Sequence, residues 1–108
     1  MDDQEFTRRA DQALDQLYRK LGVAANEHEM EADFNGGALA IEFEEPPAKF
    51  VVSPNAPVHQ IWVSAHSRSF KLAWDEGRSE FVLPETGDSL NDVIAKAIGQ
   101  QLGETVSL

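Results

Sequence analysis

From Glu27 to Phe34 the chain reads Glu-His-Glu-Met-Glu-Ala-Asp-Phe, with a carboxylate at every odd-numbered position. A period of two is the mark of a β-strand with one wet face and one buried face. It predicts Met30, Ala32 and Phe34 inward, with His28 on the same side near the strand's start. Glu27, Glu29, Glu31 and Asp33 then point outward. Asn35-Gly36-Gly37 follows at once and signals a tight hairpin. Beyond it Leu39, Ile41 and Phe43 alternate again, so a second strand returns beside the first.

The flanks differ in period. Phe6, Ala10, Leu14, Leu17 and Leu21 recur at helical spacing, behind a capping box formed by Asp2 and Glu5, and Gly22 is a natural stop. At the other end Leu90, Val93, Ile94, Ala97, Ile98 and Leu102 make a second stripe. That helix is expected to start from Asp88 as N-cap after the turn at Gly87, to be weakened slightly by Gly99 and to end at Gly103. Between them, Pro46-Pro47 breaks the second strand. Further strands are expected at Lys49–Ser53, His59–Ser64, Phe70–Trp74 and Glu80–Leu83, with Pro54-Asn55-Ala56-Pro57 as a turn. Trp74 is expected in the core. All the connections are short, which favours antiparallel neighbours. The expected architecture is α+β: a two-layer α-β sandwich, N- and C-terminal helices packed on one face of a mostly antiparallel sheet of about six strands, as one domain over residues 1–108.

Charge and composition narrow the function. Nineteen acids face nine bases, for a net charge of −10, and residues 1–45 carry −8 of it. Such a field disfavours nucleic acid and anionic membranes and favours cations or basic protein surfaces. There is no cysteine, so thiolate metal sites, disulfides and cysteine nucleophiles are excluded. No apolar run approaches the about 20 residues of a membrane span, and the acidic N-terminus does not read as a secretory signal. The expectation is a cytoplasmic protein. No phosphate-cradling glycine loop, dinucleotide fingerprint, recognisable Ser-His-Asp motif or Glu-x-x-His pair is present, so the chain is not expected to be an enzyme.

Two features carry candidate chemistry. Outward carboxylates two residues apart lie about 6.6 Å apart along a strand. Two Glu side chains then share one hydrated cation without forming a cage, which suits weak, poorly selective binding of an oxygen-preferring cation such as Mn²⁺, Co²⁺ or Ca²⁺. The same charges on an edge strand also guard against edge-to-edge association without binding anything. Gln60, Trp62 and Ser64 alternate with inward Ile61 and Val63, which puts a large aromatic on the wet face. Such a residue either anchors a partner or packs over its sheet neighbours. His28, His59 and His66 form no ligand pair by spacing. His28 reads as a partly buried packing residue, His59 as exposed, and His66 as a loop residue.

These segments, in this order, resemble the frataxin family. Glu5-Phe6 with Ala10-Asp11, the Asn35-Gly36-Gly37-Ala38-Leu39 hairpin, Pro57 followed by Gln60-Ile61-Trp62-Val63-Ser64, and Gln100-Gln101 with Gly103-Glu104-Thr105 carry the resemblance across nearly the whole chain. It implies weak surface binding of iron (Fe²⁺/Fe³⁺) on an acidic ridge shared by the first helix and first strand. Here the matching residues are Asp3, Glu5, Asp11, Glu27, Glu29, Glu31 and Asp33. It implies contact with the cysteine desulfurase and scaffold protein of iron–sulfur cluster assembly through Gln60, Trp62 and Ser64, by a monomer, with iron-dependent oligomerisation and the choice between iron donor and inhibitor left open. The chain departs from bacterial relatives where Tyr18, Arg19, Gly22, Val23 and Ala25 replace further acids, where Thr7 replaces a histidine, and where Ser53 replaces an asparagine. A shorter ridge with fewer or weaker metal sites is expected. The alternative is an acidic interaction module that binds a basic partner without functional metal.

Overall fold

The computed structural model describes residues 1–44 and 46–108. Its elements run α1 (Asp3–Ala24), β1 (Met30–Asn35), β2 (Ala38–Glu44), β3 (Pro47–Asn55), a 3-10 turn (Ala56–Val58), β4 (Gln60–Ala65), β5 (Arg68–Asp75), β6 (Glu80–Val82) and α2 (Leu90–Leu102). The six strands lie in sequence order, each antiparallel to the next. Both helices bury their apolar stripes against one face. Phe6, Ala10, Leu14, Leu17 and Leu21 of α1 and Leu90, Val93, Ile94, Ala97 and Ile98 of α2 meet Leu39, Ile41, Phe43, Phe50, Val52, Ile61, Val63 and Leu72 from the sheet. This is the expected two-layer α+β sandwich.

The hairpin between β1 and β2 is built as its sequence demands. Asn35 pairs with Ala38, and Gly36 and Gly37 both adopt positive φ, at 63° and 87°. Glycine takes up such a conformation without steric cost. The register that follows sets Met30 opposite Phe43 and Glu31 opposite Glu42.

Several boundaries differ from the sequence reading. Gly22 does not stop α1; the helix runs to Ala24, whose carbonyl accepts the Glu27 and His28 N–H groups at 3.0 Å each. Those bonds hold Glu27–Glu29 in a turn, so the ladder begins only at Met30 although the alternation starts earlier. Phe34 lies at the sheet's outer rim, 46% exposed, because β1 is an edge strand. The third strand extends through Pro54. That proline lies past the last β2–β3 pair, Leu39 with Val52, so one side of its backbone has no strand to serve. Ser89, not Asp88, caps α2: the Ser89 side chain accepts the Asp92 N–H. Asp88 is instead tied to Thr86 and Lys96.

Gly99 does more than weaken α2. A Cβ there would stand 2.7 Å from the Glu104 carbonyl oxygen, because Gly103 turns the chain back (φ 71°) and both Gly103 and Glu104 donate to the Gly99 carbonyl. The tail that follows is held by a contact between the Glu104 carboxylate and His28 Nδ1. Val106 and Leu108 pack against the core.

Candidate metal-binding edge and partner-binding sheet face

The acidic edge is set by how α1 lies on β1. Tyr18 rests on Phe34, ring centroids 5.0 Å apart, which fixes the side of α1 that borders the edge strand. Asp11 is seven residues earlier and so within about 20° of the same side. Asp15 lies between them on this flank and was missed from sequence. It is paired with Arg19 at 3.0 Å. The i, i+4, i+7 spacing of Asp11, Asp15 and Tyr18 was the available signal.

The seven predicted carboxylates do not share one place. At about 1.5 Å of rise per residue, Asp3 is about 22 Å along α1 from the level of Tyr18. Asp3 and Glu5 stand at the N-terminal end, where Asp2 accepts the Glu5 N–H (2.7 Å) and the Asp3 carboxylate accepts from His59 Nε2 (2.7 Å). Glu31 and Asp33 project from β1 toward the open face of the sheet. Glu27 and Glu29 sit in the turn before it. They join Glu31, Glu42 and Glu44 around one shallow groove. Glu42 and Glu44 were also missed, although outward positions in β2 and a two-residue hairpin already imply that Glu42 opposes Glu31. Lys49 approaches Glu42 to 3.8 Å. Among the described residues no three His, Asp or Glu side chains converge as a closed metal cage. The arrangement therefore offers open, water-sharing carboxylates, suited to a loosely held oxygen-preferring cation.

The open face carries Gln60, Trp62 and Ser64 on β4, as the alternation requires. Ile61 and Val63 are buried on the helix side, while Trp62 is 37% exposed. Trp62 is held in place: its Nε1–H donates to Gln60 Oε1 at 2.9 Å, and Lys71 Nζ lies 4.9 Å from the ring centroid. Ser53 and Lys71 flank it in register on β3 and β5. The result is a fixed aromatic platform with a cation beside it, little of whose order remains to be created on binding.

The histidines are structural in their contacts. His59 is not free in solvent as expected; its ring stacks on Phe6 at 5.2 Å while bonding Asp3. His66 donates to the Ala97 carbonyl at 3.1 Å and packs on Phe50. Trp74 faces the core side, edge-on to Phe81.

The elements thus build an acidic α+β sandwich with a carboxylate edge and an aromatic open face. Residues 1–104 match the family model of the frataxin-like domain, and the chain belongs to that family. Among solved structures it is similar to a frataxin from Psychromonas ingrahamii, with a TM-score of 0.80 and 28% identity over 99% of this chain and 97% of that one. Membership of the frataxin family gives the chain a role in iron handling and iron–sulfur cluster assembly.

Proposed function

We propose that this chain binds iron weakly on the α1–β1 edge and uses its open sheet face to contact the cysteine desulfurase and scaffold of cluster assembly, regulating that machinery or supplying it with iron. The role is non-catalytic and cytoplasmic. The observation that supports the reading is the groove at the start of the edge strand, around which Glu27, Glu29, Glu31, Glu42 and Glu44 of the β1 approach and β2 stand. Carboxylates from two elements then border one edge, and hydrated Fe²⁺ is retained by shared oxygens without being trapped. Glu27 and Glu29 extend this edge; Asp3 and Glu5 form a separate, weaker locus. Gln60, Trp62 and Ser64 are the partner contacts.

Anaerobic titration of Fe²⁺ into isotope-labelled protein tests the reading. Amide signals of Asp11, Asp15 and Glu27–Asp33 should broaden selectively, and charge reversal of Glu29 and Glu31 to Lys should abolish the effect. Unchanged broadening in that variant would remove the edge from consideration. A second reading is an acidic interaction module without functional metal. Its motive is that no three ligand side chains converge among the described residues. It is preferred if Fe²⁺ leaves the edge amides still while partner binding through Trp62 persists.

A further inference from the structure

Away from the acidic edge and the open face, one cation stands without a counter-charge in a sheltered place. Arg9 projects from α1 over Trp74, its guanidinium carbon 4.9 Å from the ring centroid. Arg9 Nε and Trp74 Nε1 are both withdrawn from solvent, and neither has a hydrogen-bond partner. None of the ion pairs among the described residues includes Arg9. Buried donors in native proteins are nearly always satisfied, and a half-buried charge without a partner is unfavourable. Other bases without ion pairs, such as Arg8 and Arg68, are exposed to solvent; Arg9 differs in having its Nε withdrawn from water.

The pair borders a half-open cleft of about 160 Å³, also lined by Gln12, Gln16, Ser79 and Asn91. Glu80 lies on its wall, but Arg78 engages that carboxylate at 2.7 Å. The cleft is thus locally cationic. It is smaller than the about 300 Å³ at which sites for drug-sized molecules begin, yet holds several times the about 30 Å³ of one water.

We infer that this cleft binds a small free oxyanion, of carboxylate or phosphate type. The forked guanidinium matches two oxygens of such a group. The side-chain amides of Gln12, Gln16 and Asn91 and the Ser79 hydroxyl supply neutral donors, and the Trp74 ring forms the apolar wall that keeps the guanidinium in place.

The chain's two tryptophans make the test self-controlled. Inorganic phosphate and, separately, acetate are titrated at constant ionic strength while both indole N–H signals are followed by NMR. The Trp74 signal should shift saturably with at least one anion, while that of Trp62, bonded to Gln60 on the opposite face, stays still. The anion that saturates at the lower concentration assigns the ligand type. Arg9→Gln should weaken binding at least about tenfold, the effect of losing a charged hydrogen-bond partner. Arg8→Gln, the same charge change at an exposed neighbour, should not. A Trp74 signal that stays still or drifts without saturating with both anions overturns the inference in the unmodified protein, whatever the variants do. So does equal weakening by Arg8→Gln and Arg9→Gln.

Discussion

Glu31 and Glu42 stand directly opposite one another on β1 and β2, two like charges in register on the open face. Directly opposed like charges destabilise a strand pair by about 0.2–1 kcal/mol. Glu31→Gln should therefore raise the stability of metal-free protein by an amount in that range, measured by urea unfolding at low salt. Raising the salt should shrink the gain, since the pair is exposed and screened. If Glu31→Gln lowers stability at low salt, the two carboxylates are not repelling one another.

Trp62 sits on its platform without contributing to the core. Trp62→Ala should leave the thermal midpoint within about 2–4 °C of the parent's, in line with the roughly 0.5 kcal/mol typical of surface changes. It should weaken binding to a desulfurase–scaffold complex by at least about tenfold, as loss of an anchoring aromatic does. Calorimetric titration against that complex decides this. Undiminished affinity would take the partner contact away from β4.

Two glycines in helices should respond in opposite directions to alanine. Gly22 lies inside α1 with nothing within 4 Å of an added Cβ. Gly22→Ala should stabilise by about 0.5–1 kcal/mol, because the unfolded chain loses freedom and the helix gains a better former. Gly99→Ala would push a methyl to 2.7 Å from the Glu104 carbonyl and should destabilise by about 1–3 kcal/mol. Denaturant midpoints of the two variants, compared with the parent, check both signs.

The Asp88 carboxyl is held below the usual carboxylate range, first by the hydrogen bond from Lys96 and then by that from Thr86. A depressed carboxyl binds its proton more weakly in the folded chain than in the unfolded one. Its stabilisation is present above the ordinary aspartate value of about 3.9 and is lost as pH falls through the lower folded value. Asp88→Asn should flatten the acid limb of the stability curve and leave the cap untouched. Ser89→Ala should instead cost about 1 kcal/mol at every pH, because it removes the acceptor for the Asp92 N–H. Unfolding midpoints between pH 2 and 7, set as an experimental range of about five pH units, separate the two behaviours.

Much of this was legible from period alone. The stripe from Phe6 to Leu21 and the alternations through Met30 and Leu39–Phe43 named the two layers and most of the core, because burial on one face imposes period 3.6 or 2 directly. Boundaries were less legible where two signals competed. Gly22 looked like a stop, but Leu21 and Ala24 are both buried, and that packing carries the helix past it. Asp88 and Ser89 are both good caps; which one serves is decided by the Asp88–Lys96 contact, eight residues away. The carboxylates expected from sequence came from one element at a time, while Asp15, Glu42 and Glu44 needed the pairing of elements to be seen beside them. The Arg9–Trp74 pair lies 65 residues apart in sequence and had no local signature.

The strand order has a kinetic consequence. Each strand pairs with its immediate successor, so the whole sheet is reachable by a succession of short loop closures, each carrying little entropic penalty. The helices lie at the two ends of that series. Their apolar stripes find a surface to cover only once neighbouring hairpins have formed, since each stripe packs across several strands.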